Sequence, residues 1–558
     1  MRESKSGMSS SQNREAALFA AVLAQPPGPR FLPLLVALAS LAATVLAATP
    51  AVAGALRPGG TFRLARADDP QTLDPVPQEL ANDFLLDVLL YLPLLDNTNG
   101  VDLVACAARD WNTSADGRTF TFHLRPGLRF SNGRVVVAAD YAYFLERISD
   151  PRNASPNYAM LGAYHIRGAT DFAAHRTQHL AGVHTEGTRT LVVELDRPDP
   201  TFPFYGIYAL PQEEVERPGN AFARHPTGDG PYMVDEWIRG VRLVFKPNPF
   251  YSGPEPRHFE HIEFMIGGNE ATHLMMFERG ELDLVNCTVR ASIPEPDQAR
   301  ILRDPRWQHC IERAPLFAAL FANLNTQMPP LDDLRVRQAI NYAVDKTRRA
   351  ASGRFTPAKG LIPPLMPAYN TNLAGYPFDP PKARRLLEET GLPLPLHLTM
   401  WYATDQDSIM QALEIQANLH EVGIELSLQQ ASFSELNDAA QIPGKVQMSL
   451  AGWFTGMPDP KDILASQFDG RTITSTATYN TSFYNNPEVN RLLDEASPTV
   501  EPGRRIELYR KIEETIVGDA PCLFLRHPNL CELRQPWLKG PLLEPLWPIR
   551  LDRVWIEQ

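Results

Sequence analysis

The stretch 397–453 constrains the fold more than any other part of this chain. Residues 397–400 (His-Leu-Thr-Met) read as a strand, and 408–422 as a helix ended by Gly423. Ile424, Leu426 and Leu428 alternate along a second strand, 432–440 is a short helix, and 446–453 is a third strand. Parallel strands cannot be joined by a tight turn, so this order demands crossover connections. It predicts an α/β lobe on a largely parallel sheet. The flanks support it. Asp332 is placed to cap a helix from Leu334 to about Arg348, with Val336, Ile340 and Val344 on one stripe. Asp379-Pro380 opens another helix, which Gly391 closes. A third, 504–517, puts Ile506, Tyr509, Ile512 and Ile516 on one face.

The earlier half has a different rhythm. Gly59-Gly60 leads into a short strand, and Phe120, Phe122 and Leu124 share one face of another. Asp116-Gly117 is a hairpin signal that makes 109–113 the partner strand. Residues 139–148 look helical, 191–195 extended. The last forty residues return to short strands and prolines, with 523–526 expected to turn at 527–530. A length of 558 residues suits two or three lobes of about 100–200 residues each. A chain that leaves one lobe and returns crosses twice, and two crossings make a hinge with a cleft.

One long apolar run exists, 31–48. Arg30 precedes it and Ala51-Val52-Ala53 follows, so 1–53 reads as a secretory signal peptide; an uncleaved anchor is the alternative, since 18 apolar residues nearly span a bilayer. The five cysteines then face an oxidising compartment in odd number. With the expected turn, the α-carbons of Cys522 and Cys531 lie about 13 Å apart, too far to bridge. Cys287 with Cys310 stays open. The net charge of −12 disfavours nucleic acid as a partner.

Motifs for chemistry are missing. His258-x2-His261 and Cys522, His527 and Cys531 supply no convincing metal set. His420-Glu421-Val422-Gly423 is not a zinc-protease motif, and no nucleophile elbow or phosphate loop occurs. Asp332-Asp333 reads as a helix cap rather than a catalytic dyad. No catalytic residue, metal or cofactor is expected, which argues against an enzyme.

The order of short segments resembles the extracytoplasmic solute-binding proteins of ABC importers, family 5, the peptide/nickel/opine type. Gly59-Gly60-Thr61-Phe62 and Asp69-Pro70-Gln71-Thr72-Leu73-Asp74-Pro75 look like that family's opening strand and loop. Trp111 through Gly117, with the run from Leu124 to Gly133, resembles its hairpin, and Leu145-Glu146-Arg147 its next helix. Gly228-Asp229-Gly230-Pro231-Tyr232 with Trp237, Asn248-Pro249 and Tyr251, the run from Glu278 to Asp283, Asn325, Pro330, the run from Val336 to Ala343, and the run from Tyr484 to Val489 follow in order. Val137 departs from the family's Thr or Ser helix cap.

The resemblance implies a two-lobed periplasmic binding protein of the large class II type, with an extra domain and mixed or parallel sheets. Domain I would combine 57–95, 210–315 and 520–558, domain II 96–209 and domain III 316–519, with crossings near 316–325 and 517–523. Domains I and III would close on a small peptide-like solute and pass it to an inner-membrane permease and its ATPase, the chain being periplasmic and a monomer. A non-peptide solute (opine, glycoside or amine) is the alternative, followed by a sensor or an exported hydrolase on the same fold.

The resemblance places the segment from Ala451 to Pro460 at the cleft. Members that bind peptide N-termini carry an Asp where this chain has Gly456, and dipeptide-type members an Arg where an ungapped match gives Tyr402. Both charged anchors are therefore missing. The expected ligand-binding residues are Trp453, Phe454, Thr455, Gly456, Asp459, Trp401, Tyr402, Asn323 and Asn325. Aromatics there can stack on an apolar group or face a cation. Trp401 and Tyr402 read equally as lobe core, Trp453 more as cleft than as core, and Asp459 as the holder of an Asp-Pro turn.

Overall fold

In the computed structural model, which describes residues 59–557 apart from 79, 99, 154, 156–164, 218, 220, 255, 286–292, 294–296, 298–299, 302, 308, 349, 351–352, 475–477 and 547–550, the chain starts with strand β1 (Thr61–Arg66). The expected signal peptide and Cys287 lie outside the described residues. Helix α1 (Leu80–Leu90) and the hairpin β2 (Leu95–Thr98) and β3 (Asp102–Ala105) lead into β4 (Ala108–Thr113) and β5 (Thr119–Leu124). Phe120, Phe122 and Leu124 are buried, as the alternation requires. Helix α2 (Ala138–Ser149) follows, then β6 (Val183–Glu186) and β7 (Thr190–Glu194), closing an antiparallel sheet in the order β4-β5-β7-β6. Val137 offers α2 no capping side chain. Asp140 instead accepts the Val137 N–H at 2.8 Å and holds Arg134 through both its oxygens, so the first turn is fastened from inside. Strands β8 (Tyr232–Ile238), β9 (Arg242–Pro247) and β10 (His261–Ile266) then join β1 in the order β1-β10-β9-β8.

Helix α3 (Glu270–Glu278), β11 (Leu284–Val285) and β12 (Ile311–Pro315) lead to the largest sheet. Its elements are β13 (Ala318–Leu324), α4 (Leu334–Ala343), β14 (Phe355–Pro357), α5 (Pro380–Thr390), β15 (Leu396–Ala403), α6 (Gln406–Glu421), β16 (Ile424–Ala431), α7 (Phe433–Ala440) and β17 (Met448–Phe454). Helices α8 (Lys461–Phe468), α9 (Pro487–Ala496) and α10 (Pro502–Asp519) come next, then β18 (Cys522–Arg534) and the short pair β19 (Leu538–Lys539) and β20 (Trp555–Ile556). The order is β11-β18-β13-β17-β15-β16. Strands β15, β16 and β17 are parallel, as the crossovers demand, while β13 runs antiparallel to both β17 and β18, so the sheet is mixed.

Three sequence expectations need correction. Asp333, not Asp332, caps α4, its carboxylate accepting the Arg335 N–H at 2.8 Å. That helix stops at Ala343 rather than near Arg348. The expected turn at 527–530 does not form, because β18 runs straight through Pro528. Both edges of β18 find partners there, β14 opposite 526–528 and β12 opposite 529–533. Pro528 donates nothing, but its carbonyl accepts the Leu316 N–H. Cys522 and Cys531 therefore stand nine residues apart on one strand, about 30 Å at 3.3 Å per residue.

The large sheet is covered on both faces, which suits its apolar strands. Phe317, Ala319, Phe321 and Phe524 pack with α8, α9 and α10 on one side. Ala322, Leu324, Met400 and Leu523 pack with α4, α5 and α6 on the other. Among the described residues no helix is long and apolar enough to cross a membrane.

Candidate functional site

Strand order locates a crevice. From β15 the chain passes into α6, whose Ala412, Ile415 and Leu419 lie on the face of Met400. From β17 it passes into α8, whose Ile463, Leu464 and Phe468 lie on the opposite face with Phe321. Strands β15 and β17 are neighbours, so the loops leaving their C-terminal ends part to opposite sides of the sheet. Such a switch point is where ligands enter open α/β sheets. It lies between 403–406 and 454–460.

The backbone there has a further property. β15 pairs with β17 only at Met400–Met448 and Trp401–Ser449, then follows β16 to Ala403–Ala431. β17 continues to Phe454 against β13 alone. Among the described residues, its other edge has no strand beside it from Leu450 to Phe454. A bare edge at a switch point offers a row of donors and acceptors to an extended guest chain.

The expected residues divide into two groups, and a third group was not expected. Phe454, at the end of this edge, and Tyr479, against Trp453, are exposed aromatics, at 37% and 65% exposure. Trp453 is half-buried, its ring edge-on to Tyr479 at 5.6 Å, its indole N–H donating to Asp462 Oδ1 at 3.1 Å. Thr455 is buried; its N–H and hydroxyl both donate to the Phe317 carbonyl, pinning the loop to the start of β13. The Gly456 N–H donates to Asp462 Oδ2 at 2.6 Å. Asp459 takes a bidentate grip from Arg505, at 2.8 and 2.9 Å, and accepts the Lys461 N–H, which is the turn-holding role.

The second group stands elsewhere. Tyr402 points to the α4–α6 face, packed against that core, because side chains alternate along β15. Asn325 is buried at the far end of the sheet, donating to the Val446 carbonyl and accepting the Gln327 N–H. It follows the C-terminus of β13, which runs opposite to β15 and β17. Asn323, buried beside Ser449, donates to Thr481 Oγ1 at 2.6 Å. Trp401 shares the Trp453 face of the sheet and packs against Ala403, Ala431 and Leu436.

The third group escaped the sequence reading: Asp462, Lys461, Arg505, Asp199 and Tyr479. Lys461 reaches Asp199 Oδ2 at 2.9 Å, in the loop after β7, and Met457 joins the core cluster built around the first two sheets. Burial disfavours the Asp199 carboxylate, but Lys461 and Thr201 outweigh it and hold its carboxyl below the usual range. Burial pushes the Asp462 carboxyl up to about 6, against the two bonds it accepts. Every charge from 455 to 462 is thus engaged inside the protein. Its place in the first turn of α8, where an acid suits the helix dipole, would have marked Asp462; nothing local marks Asp199 or Arg505. On the β15 side Arg526 pairs with Asp407 and stacks over Phe355 at 3.9 Å. Among the described residues, no group of His, Cys, Asp or Glu is arranged to hold a metal ion.

Residues 102–475 match the bacterial extracellular solute-binding proteins, family 5, middle region. The chain is 26% identical over 529 residues to a probable deoxycholate-binding periplasmic protein of Escherichia coli strain K12, covering 90% of this chain and 94% of that one. It is 26% identical over 479 residues to a probable di/tripeptide-binding protein of Pseudomonas aeruginosa, covering 82% and 88%. Among solved structures, a clavulanic acid biosynthesis oligopeptide-binding protein superposes with a TM-score of 0.82 at 24% identity, covering 90% of this chain and 96% of that one.

Proposed function

Since the chain belongs to the bacterial extracellular solute-binding proteins of family 5, we propose that it captures a peptide or peptide-like solute at the open edge of β17 and hands it to the permease of an ABC importer. The observation that carries this reading is the bare edge from Leu450 to Phe454 at the switch point. An extended backbone satisfies such an edge whatever its side chains, which suits a carrier of varied peptides. Phe454 and Trp453 then receive alternate side chains of the solute, Gly456 leaves its end uncharged, and Thr455 and Asp459 hold the loop. The names of the relatives, which include di/tripeptide and oligopeptide binders, support the same class.

In this reading, 57–95, 210–315 and 520–558 form one jaw carrying 96–209 as an extra domain, and 316–519 forms the other. The pairing of β18 supports it: its first half lies against β13 and β14, its second half against β12 and β11. Ligand favours closure only through contacts that both jaws make, and Lys461 with Asp199 is one contact already in place. A second reading, a flat apolar solute, draws on the exposed Phe454 and Tyr479 and on the relative named for deoxycholate.

Native mass spectrometry of the gently purified exported chain tests the choice. A ladder of peptide masses on the protein is the expected result. A single non-peptide adduct overturns the peptide class and leaves the binding role.

A further inference from the structure

Asp462 sits in the first turn of α8 with 8% of its surface exposed. It divides its two oxygens between two donors: Oδ1 takes the Trp453 indole N–H and Oδ2 the Gly456 backbone N–H. Those donors bracket Phe454 and Thr455, where the open edge of β17 ends. The charged and titratable groups around it are Asp459 and Lys461 on its own segment, Arg505 and Tyr509 on α10, Asp199 in the loop after β7, and Tyr479 beside Trp453. Arg505 takes up Asp459 and Asp199 takes up Lys461, so neither cation is paired with Asp462.

A carboxylate only accepts, and both neighbours are N–H donors with no acceptor capacity. A proton on either oxygen takes up one lone pair and removes the negative charge, so the N–H facing that oxygen is left with a weaker acceptor or is displaced. We propose that Asp462 is a proton-operated positioning residue: as a carboxylate it fixes Trp453 and the turn at Gly456 beside the solute edge, and as a neutral carboxylic acid, a weaker acceptor, it holds them less tightly, loosening that edge and weakening solute binding. This rests on the reading of the β17 edge as the solute seat. Burial, the strongest influence on this carboxyl, brings its titration to about 6, a degree of acidity an exported protein meets.

The test begins without solute. The full exported chain is labelled with 15N at its tryptophan indoles, and the Trp453 resonance is assigned by its loss in Trp453→Phe. The expected result is an indole N–H resonance that moves between about pH 7.5 and 5 with a midpoint near 6, and that stops moving in Asp462→Asn. A Trp453 resonance that stays still, or one that titrates unchanged in Asp462→Asn, overturns the proposal. If Asp462→Asn does not fold, the wild-type curve decides alone. Affinity for trialanine and for glutathione is then measured at both pH values. The expected loss on acidification is about three- to tenfold, the worth of one hydrogen bond, and it vanishes in Asp462→Asn. Binding that ignores pH while the indole titrates overturns the link to solute release. Failure of both peptides to bind, with the indole titrating, removes the peptide seat and keeps Asp462 as the proton-operated support of Trp453.

Discussion

Two irregular segments of the α/β lobe are each fastened by a buried carboxyl, and they are fastened differently. At 360–362 the Glu513 side chain reaches from α10, and its Oε1 alone accepts the N–H groups of Leu361 and Ile362, both at 2.8 Å. Gly360 makes room for this: a Cβ there would lie 2.5 Å from that oxygen. At 453–456 Asp462 gives one oxygen to each donor. Burial raises both carboxyls, Glu513 to about 7 and Asp462 to about 6. The difference lies in what an amide replaces. A glutamine can accept both bonds with its single oxygen, whereas an asparagine at 462 would turn its NH2 group towards one of the two donors. The core carboxyl therefore acts as a fixed peg, and the crevice carboxyl as one that a proton can loosen.

The largest way to disturb the contrast is Arg505→Met. Arg505 holds Asp459 bidentately and is itself buried, so its loss strands a carboxylate beside the crevice loop. The expected cost is about 3 kcal/mol, read by denaturant unfolding. A cost below about 1 kcal/mol would mean that Asp462 and Thr455 hold the loop without it.

Glu513→Gln sharpens the other side. The Glu513 carboxyl ordinarily titrates at 4.5 and in the fold at about 7. Its contribution to stability is therefore complete below 4.5 and is lost as pH rises through about 7. The amide keeps both hydrogen bonds and never ionises. It should match the wild type at pH 4 and exceed it at pH 8 by about 3 kcal/mol, seen as a higher Tm at pH 8 only. A destabilised variant at both pH values would show that the second oxygen also carries a contact.

Trp453→Ala removes the indole bond to Asp462 and the contact with Tyr479. Solute affinity should fall about thirtyfold, some 2 kcal/mol, with the fold intact by circular dichroism. Unchanged affinity with lowered stability would return Trp453 to the core. The smallest effect is expected from Gly456→Asp, which places a carboxylate where the loop has none to spare. Peptides with a free ammonium should gain about five- to tenfold over their acetylated forms. Equal binding of the two would mean that position 456 does not face the solute.

Much of the fold was legible in the sequence for a local reason. The alternation of Phe120, Phe122 and Leu124, the Asp379–Gly391 punctuation of α5 and the strand–helix order from 396 to 454 are fixed by neighbours a few residues away. The turn expected at Pro528 failed because it was judged by local chemistry, whereas partners on both edges of β18 came from 311–315 and 355–357. The expected site split for the same reason. Residues 453–456 gather at the crevice because one continuous strand end carries them there. Asn325 does not, since the direction of β13 is set by pairing over more than a hundred residues.

By itself, the sequence determined the elements, the α/β character of the lobe and the family, because short-range periodicity, caps and ordered motifs are properties of the chain. Only the tertiary structure decided where β15 stops pairing with β17, that Lys461 meets Asp199 and Arg505 meets Asp459, and that one buried carboxylate stands between Trp453 and Gly456. Those are contacts between segments distant in sequence or matters of which oxygen faces which donor. Packing in three dimensions sets them, and no local pattern encodes them.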